Sequence, residues 1–171
     1  MKCPSLSIAL ATLSLFAAGA HAAPAMMSAE WTAQACDAWN KDAILTDGLS
    51  EKWIKNNKNR GYKIIHLYRT ECGEATKSEM KIADKDGKAL CVYGGAVQNP
   101  KMDHAVDYSI HATTERWNEM SAGKYGPMTA MTLFRLKFSG SYIEAMGSLG
   151  AFETFLRLPG KIPGDAACPA K

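Results

Sequence analysis

The strongest constraint on the fold is a turn sequence that stands between two segments with strand-like alternation. Residues 77–83 alternate between charged and apolar side chains, and residues 89–94 follow as a second β-rich segment. Between them, residues 84–88 contain an Asp-Gly pair, which favours the tight turns that join antiparallel strands. The sequence therefore predicts an antiparallel hairpin, with Leu90 and Val92 facing the core.

Three further segments have strand character. Residues 63–72 are rich in Ile, Leu and Tyr, which favour a pleated and half-buried surface. Residues 106–112 alternate most regularly, and residues 129–138 carry apolar side chains at every second position. Together with the hairpin, these segments predict a sheet of about five strands, an ordinary size for a single domain.

Helical spacing of apolar residues occurs on both sides of the strand segments. The region before the sheet is predicted to form two helices, with Ser28 as the N-cap of the first and an end near Asn56. Thr113 or Thr114 is expected to cap a short helix. A last helix begins at Ser139 and ends before a Pro-Gly pair.

The first residues have the organisation of a secretory leader. Lys2 precedes an uncharged apolar run at residues 6–20, and the Ala-His-Ala sequence that ends at Ala22 is the pattern that signal peptidases recognise. The run is shorter than the roughly 20 residues that span a bilayer. We therefore expect residues 1–22 to be a signal peptide, cleaved before Ala23, and the mature protein to be periplasmic or secreted.

The remainder of the chain, residues 23–171, has the length of one domain and contains no repeat or long linker. We divide it into N-terminal helices at 23–58, a sheet with helices at 63–158 and an irregular tail at 159–171. The 20 basic and 17 acidic residues of the chain nearly balance, and they are dispersed. Nucleic-acid binding is therefore not expected, because neutralising phosphates requires a concentrated basic patch.

Four cysteines remain after cleavage: Cys36, Cys72, Cys91 and Cys168. An even number in an exported chain predicts two disulfides, for which three pairings exist. Strand alternation places Cys72 and Cys91 on the same outward face of the sheet, so we expect these two to pair. The other disulfide would then join the N-terminal helix to the tail.

The chain carries no recognisable catalytic or cofactor motif, so we expect neither a catalytic residue nor a cofactor. His104 and His111 lie at the ends of one predicted strand, roughly 20 Å apart at about 3.3 Å per residue, and we expect no metal site there. Ser109 with His111 is the neighbouring pair that could serve an ester hydrolase. Residues two apart on a strand share a face, so a lipid-ester hydrolase stays open as an alternative.

An ordered succession of segments resembles the sterol carrier protein type 2 family, a family of lipid-transfer domains. A regular strand leads to a capped short helix, a turn with Gly and Pro, a further strand, a Ser-Gly-Ser break and a final helix. The resemblance covers residues 103–158, about a third of the chain. Its segments are residues 107–112, 113–120, 123–128, 130–138 and 139–141, and the helix that carries Glu144, Ala145, Met146 and Leu149.

The resemblance implies an α+β fold in which a mainly antiparallel sheet of about five strands is covered on one face by helices. In that family an apolar tunnel between sheet and helices holds a sterol, a fatty acyl chain or a related lipid. By position, the residues expected to line such a tunnel here are Trp117, Met120, Met128, Met131, Phe134, Phe138, Met146, Leu149 and Phe152.

Three functions follow from these observations as hypotheses. The first, which we expect, is a non-enzymatic carrier that binds a sterol, a hopanoid or an acyl lipid internally and makes transient membrane contact. The second is an interaction module of the same fold, which binds a partner protein or a membrane surface and holds no lipid. The third is the lipid-ester hydrolase, which requires an activated nucleophile.

Overall fold

A five-stranded mixed sheet with helices packed on one face forms the framework of the protein. The computed structural model describes residues 22–170. The expected signal peptide, residues 1–22, therefore lies outside the described residues except for Ala22. The predicted α+β class with a mainly antiparallel sheet is confirmed, because three of the four neighbouring strand pairs in the described sheet are antiparallel.

The strands of the sheet are β1 Tyr62–Arg69, β2 Ser78–Lys85, β3 Lys88–Ala96, β4 Tyr108–Ala112 and β5 Lys137–Ser139. Their order across the sheet is β3-β2-β1-β4-β5. β1 is therefore the central strand, and it pairs antiparallel with β2 and parallel with β4. The early part of the sheet is a meander, and the later strands join it on the other side of β1.

The helices in the described chain are α1 Ala29–Asn40, α2 Ala43–Thr46, α3 Lys52–Lys55, α4 Thr114–Ser121, α5 Pro127–Thr132, α6 Tyr142–Gly147 and α7 Leu149–Arg157. The predicted cap of α1 is confirmed, because the Ser28 hydroxyl accepts from the Trp31 amide at 3.2 Å. The Thr113 hydroxyl caps α4 in the same way, accepting from the Arg116 amide at 3.3 Å. α1, α4 and α7 enclose the main apolar core against the sheet.

The predicted hairpin of β2 and β3 is confirmed, and its turn has the backbone that an Asp-Gly pair favours. Asp86 and Gly87 have positive φ values of 51° and 73°, as a two-residue turn between twisted antiparallel strands requires. Glycine adopts this conformation without the steric cost that a side chain brings. The alternation of β2 is also as predicted, with Met80 and Ile82 in the core.

The predicted faces of β3 are wrong. Ala89 is fully buried beneath α1, whereas Val92 is 48% exposed. α1 lies so close to β3 that only small residues fit between them: a Cβ on Gly94 would come within 2.3 Å of the Thr32 carbonyl oxygen. Leu90 and Val92 are too large for this interface, so they occupy the opposite face although they are more apolar.

The expected disulfide pairing is also wrong. Cys36 pairs with Cys91 and Cys72 pairs with Cys168, with Cα–Cα distances of 5.3 and 5.4 Å. Cys91 faces α1 because of the close packing just described, and its disulfide joins α1 to β3. Cys72 lies in a short 3₁₀ turn after β1 and anchors the C-terminal tail. Arg69 holds the same tail, since its guanidinium donates to two of the tail's carbonyl oxygens.

The predicted fifth strand, residues 129–138, is mostly not a strand. Its first part belongs to α5, which begins at Pro127, a residue whose fixed φ suits the first turn of a helix. Phe134 then takes a positive φ of 54°, and only Lys137–Ser139 pairs with β4. The alternation was ambiguous, because over so few positions the same apolar residues satisfy both the strand period and the helix period.

The predicted C-terminal helix is two helices. Ser141, and not Ser139, is the N-cap, and its hydroxyl accepts from the Glu144 amide at 3.3 Å. The helical path breaks at Ser148, which has a φ of −126° and a ψ of 36°. α6 is consequently a separate segment of six residues that follows the edge strand β5, while α7 packs on the core.

The sheet face opposite the helices is covered by the connection between β3 and β4, residues 97–107. Glu79 is fully buried there and accepts from two backbone amides of that connection, at 3.1 and 2.8 Å. Asp107, also fully buried, accepts from the Arg60 guanidinium at 2.6 and 3.0 Å. Polar contacts therefore seal this face, and the main apolar core of the domain lies on the helix side.

Candidate functional site

An apolar cavity of about 40 Å³ lies between the central strands and the helices. Its wall combines residues from the N-terminal helices, the strands β1, β4 and β5, and the C-terminal helices α6 and α7, so distant parts of the chain meet there. Six of its lining side chains are aromatic: Trp39, Trp53, Tyr108, Phe138, Phe152 and Phe155. The other lining residues are Leu49, Ile65, Ile110, Ala145, Ser148 and Ala151.

The aromatic side chains form a continuous wall along the cavity. The Trp53 and Tyr108 rings are stacked, with 5.8 Å between their centroids and 18° between their planes. Phe138 joins Tyr108 to Phe152, at centroid distances of 5.5 and 5.7 Å. Aromatic pairs at such distances contribute about 0.5–1.5 kcal/mol each beyond the burial of their area. The wall is therefore a stable apolar surface.

The cavity is small in this conformation. Its volume of about 40 Å³ exceeds the roughly 10–15 Å³ that one water requires, but it is far below the roughly 300–1,000 Å³ of ligand pockets. A long apolar ligand would therefore enter only if part of the wall moved outward. The strands of the wall are tied to one another by the hydrogen bonds of the sheet, whereas the helices are held to the sheet by side-chain contacts.

α6 covers one side of the cavity. Ala145 and Ser148 contribute to the lining, while on the outer side Ile143 is 86% exposed and Tyr142 is 50% exposed. A helix of six residues has few internal hydrogen bonds, so its position depends on tertiary contacts. α6 can consequently separate from the cavity at a lower cost than the longer and more deeply buried α7.

A buried ion pair fastens α6 to the sheet. The Lys63 ammonium on β1 lies 2.6 Å from Glu144 Oε2, and the Lys63 side chain is fully buried. The Tyr108 hydroxyl donates to the same carboxylate oxygen, and Asn56 Nδ2 donates to Oε1 at 3.0 Å. The Glu144 carboxylate thus accepts from three side chains that belong to three different segments.

Two rings of the cavity wall also surround the Lys63 ammonium. Its Nζ lies 4.7 Å from the centre of the Trp53 ring and 5.4 Å from that of Tyr108, within the range of cation–π attraction. Burial lowers the pKa of Lys63, although the bond to Glu144 opposes this shift. Burial, together with the Glu144 carboxylate, raises the pKa of Tyr108, so its phenol is a proton donor at neutral pH. Lys63 and Glu144 do not belong to the lining of the cavity; they form a polar end next to the Trp53 and Tyr108 rings of its wall.

The nine residues expected to line a tunnel fall into three groups in the structure. Those that line the cavity are Phe138 and Phe152. Those in the adjoining core are Trp117 and Met120, which are buried, and Met131 and Met146, which are half-buried, and Trp117 lines a second cavity of about 10 Å³. Those on the surface are Met128, Phe134 and Leu149.

Sequence reasoning missed the polar end and the N-terminal side of the cavity. Trp53 follows helical spacing, which predicts burial but does not show which residues it meets. The sequence does contain a sign that Lys63 faces the core. Lys63 lies at alternate positions with Ile65 and Leu67, so all three side chains lie on the same face of the strand. Its partner has no such signal, since Glu144 is 81 residues away in sequence.

Ser109 and His111 do not form a hydrogen-bonded dyad in the part of the chain that the structure describes. The His111 Nδ1 lies 2.9 Å from the Thr70 hydroxyl, and the His111 ring stacks on Tyr68 with 4.3 Å between centroids. Within the described residues there is also no cluster of three His, Cys, Asp or Glu side chains placed to hold a metal ion. The geometry is that of an apolar cavity with an ion pair beside its wall.

Fold and site together define an α+β domain with an apolar cavity between a mixed sheet and its helices. Among solved structures, the chain is similar to a crystal structure of sterol carrier protein 2, with a TM-score of 0.49 and 15% identity, covering 81% of this chain and 99% of that chain. The solution structure of the sterol carrier protein domain 2 of Helicoverpa armigera gives a TM-score of 0.43 and 19% identity, over 85% and 99% of the two chains.

A conserved hypothetical protein from Thermus thermophilus is similar as well, with a TM-score of 0.47 and 16% identity over 86% of this chain and 98% of that chain. Each of these similarities is one of fold. No family model and no curated protein matches the chain. No helix within residues 22–170 has the length and apolar character to cross a bilayer.

Proposed function

We propose that this protein binds the apolar part of a lipid between its sheet and the helices α6 and α7, and carries it without chemical change. The observation that carries the proposal is the aromatic cavity, which is covered on one side by a short helix with an apolar outer surface. The ligand is a sterol-like or other apolar lipid, in keeping with the resemblance of residues 103–158. Outward movement of α6 enlarges the cavity to admit it.

Burial of the lipid supplies the free energy for this enlargement. Each methylene removed from water contributes about 0.8 kcal/mol, so a chain of roughly 16 methylenes contributes about 13 kcal/mol. Association costs of about 4–15 kcal/mol oppose it, together with the contacts that α6 loses. Affinity should therefore rise steeply with chain length, and short chains should not bind.

Among the expected tunnel residues, Phe138 and Phe152 would contact the lipid directly, because they already line the cavity. Met131 and Met146 lie half-buried at its margin and can adapt to the enlarged pocket, since methionine side chains are flexible and polarisable. Trp117 stays in the core and contributes only if the second cavity joins the first. The exposed members of the set belong to the surface of the domain.

The outer surface of α6 is the proposed point of transient membrane contact. Tyr142 and Ile143 expose apolar surface there, and adjacent exposed apolar groups favour contact with a membrane or a partner. Contact at this surface would draw α6 away from the cavity at the moment of lipid uptake. An interaction module without bound lipid would use the same surface, so only a measurement of lipid occupancy separates the two functions.

We further propose that the protein acts outside the cytoplasm. Two disulfides are typical of proteins that fold in oxidising compartments. Residues 1–22 have the organisation of a signal peptide. In this proposal residues 23–171 form a single lipid-binding domain in the periplasm or outside the cell, and lipid crosses the aqueous space inside it.

Native mass spectrometry of the mature protein, purified from its own periplasm, tests the binding proposal. The expected result is a stoichiometric adduct that organic extraction identifies as a sterol, a hopanoid or an acyl lipid. A clean apo mass, with no uptake from a mixed lipid extract, would favour the interaction module instead.

A matched pair of alanine variants tests where the lipid lies. Ala145 is buried and lines the cavity, so Ala145→Leu fills the space beneath α6 and should reduce lipid affinity by about tenfold or more. Ala33 is exposed on α1, so Ala33→Leu adds the same side chain outside the cavity. Thermal unfolding controls for overpacking, which costs about 1–3 kcal/mol. Equal affinity in the two variants would mean that the lipid binds elsewhere.

A further inference from the structure

A lysine occupies a core-facing position on the central strand. Lys63 shares its parity on β1 with Ile65 and Leu67, and none of its side chain is exposed. Removing an ammonium from water is costly unless a counterion and hydrogen bonds compensate, and apolar residues in place of such a pair are often at least as stable. The presence of this lysine is therefore not explained by stability.

The contacts of Glu144 show what kind of group the lysine accommodates. The Lys63 ammonium and the Tyr108 hydroxyl both donate to Glu144 Oε2, and Asn56 Nδ2 donates to Oε1. Three donors thus converge on the two oxygens of one carboxylate. Hydrogen bonds that involve a charged partner are stronger than neutral ones, so the arrangement favours an anion over a neutral acceptor. In the closed protein, its own side chain occupies this carboxylate site.

Glu144 lies on the element that has to move. α6 also carries Ala145, which lines the cavity, so an outward movement of α6 that admits a lipid removes the Glu144 carboxylate as well. The three donors remain behind on β1, on β4 and at the end of α3. The Trp53 and Tyr108 rings are shared between the ammonium and the cavity wall. Displacement of Glu144 then leaves, next to these two rings, an ammonium without a counterion.

We infer that Lys63, Tyr108 and Asn56 form a head-group site for a lipid whose single chain ends in a carboxylate, which replaces Glu144. The inference rests on the function proposed above and specifies the ligand class of the same site. A long-chain carboxylate restores the counterion that the opening of α6 removes. A sterol or a long-chain alcohol offers only a hydroxyl, which leaves the ammonium without a compensating charge.

Glu144 acts in this scheme as a built-in competitor of the ligand. The closed protein satisfies Lys63 without any lipid, so a carboxylate ligand must displace an equivalent group. Release is favoured for the same reason, because Glu144 returns as α6 closes. Removing the charge of Glu144 while keeping its shape therefore weakens the competitor and strengthens binding of an anionic chain.

Binding of palmitate and hexadecanol to the mature, disulfide-bonded protein tests the inference, because the two ligands share an apolar chain and differ in head group. The unaltered protein should bind palmitate at least about tenfold more tightly, the change that one charge-assisted hydrogen bond brings. Lys63→Met should abolish this preference. Glu144→Gln should raise the affinity for palmitate more than the affinity for hexadecanol.

Lys101→Met is the matched control, because it removes an exposed lysine from the connection on the opposite face of the sheet. It should leave both affinities unchanged. Hexadecanol binding and thermal unfolding report whether Lys63→Met is folded. If that variant does not fold, Glu144→Gln still tests the head-group site. Equal changes in the affinities for palmitate and hexadecanol would count against it.

The outcomes separate the inference from the function on which it rests. Equal affinity for palmitate and hexadecanol, or an equal loss of both in Lys63→Met, would overturn the head-group site and leave lipid binding intact. Binding of neither ligand to the unaltered protein would overturn the cavity function itself. Hexadecyl phosphate tests whether the site prefers a carboxylate to a phosphate. If it bound at least as tightly as palmitate, the carboxylate assignment would be overturned.

Discussion

Two ion pairs, each with one fully buried member, begin only three residues apart in sequence, at Arg60 and Lys63, and they are held in different ways. Asp107 accepts from the Arg60 guanidinium and also from the backbone amides of Ile64 and Asp103, at 2.9 and 3.0 Å. The Glu144 carboxylate, which faces Lys63, has only side-chain donors among the described residues, and no backbone amide donates to it. Glu144 also belongs to a helix of only six residues. Backbone donors make the Asp107 pair part of the framework, whereas the Lys63 pair is the one that separates in the proposed opening of α6.

The electrostatic balance of the two pairs also differs. Burial raises the pKa of Asp107, but the Arg60 guanidinium and two backbone amides outweigh burial, so the pKa lies below its usual value. At Lys63 burial is the larger effect, and the bond to Glu144 does not restore the usual pKa, which is lowered. The fold therefore favours the charged form of Asp107 and disfavours that of Lys63.

The largest expected effect is on the framework pair. Asp107→Asn removes the counterion of Arg60 and leaves one backbone amide facing the new amide group, so the free energy of unfolding should fall by about 3 kcal/mol. Urea denaturation measures this change. Asp103→Asn is the control, because Asp103 pairs with Lys58 at the surface, and it should have little effect. Equal effects of the two substitutions would show that the Arg60–Asp107 pair stabilises the fold no more than a surface pair does.

Replacing both partners gives a smaller effect that should differ between the pairs. Lys63→Met combined with Glu144→Gln removes a buried charge pair and keeps an acceptor for Tyr108, so stability should be unchanged or higher by about 1–3 kcal/mol. Arg60→Met with Asp107→Asn should still lower stability by about 1–3 kcal/mol, because a backbone amide loses its acceptor. Chemical denaturation of the two double variants measures both changes in the free energy of unfolding. A loss of similar size in both would show that both ion pairs stabilise the fold.

Acid titration gives the smallest effect. The pKa of Asp107 is held below its unfolded value of 3.8, so its contribution to stability is present above about pH 4 and is lost as pH falls through the folded pKa. The slope is at most about 1.4 kcal/mol per pH unit for one proton. The difference in unfolding free energy between the unaltered protein and Asp107→Asn should therefore shrink in acid. A constant difference would assign the acid response to other groups.

Lys63 should make stability depend on pH at the alkaline end of the range. Its pKa is lowered below 10.5, so the folded protein binds fewer protons there than the unfolded chain, and this contribution to stability rises as pH increases toward 10.5. Lys63→Met should lack the increase. The contributions of Asp107 and Lys63 to stability should thus both rise with pH, that of Asp107 in acid and that of Lys63 in alkali.

Features that depend on neighbouring residues were predicted from the sequence. The hairpin turn at Asp86 and Gly87 and the caps at Ser28 and Thr113 need only a few adjacent side chains and their own backbone. The strand segments followed from the alternation of longer segments, and the α+β class was implied by the resemblance of residues 103–158. These predictions hold because the competing conformations are also local, so tertiary packing has little to reverse.

Features that depend on how closely elements approach were not predicted. The face of β3 and the partner of Cys91 follow from the narrow space beneath α1, where residue size outweighs apolar character. The helix that begins at Pro127 replaced a predicted strand because its apolar residues suit either period. Two of the expected tunnel residues, Phe138 and Phe152, line the cavity, and the others are spread over the core and the surface.

Periodicity and contacts a few residues apart predicted the hairpin, the capped helices and the strand segments, and the resemblance of residues 103–158 implied the fold class. Tertiary structure alone decided the disulfide pairs, the aromatic wall and the meeting of Lys63 with Glu144. Those features join residues distant in the chain, and their partners are selected by packing, which depends on the shape and size of every side chain in the interface.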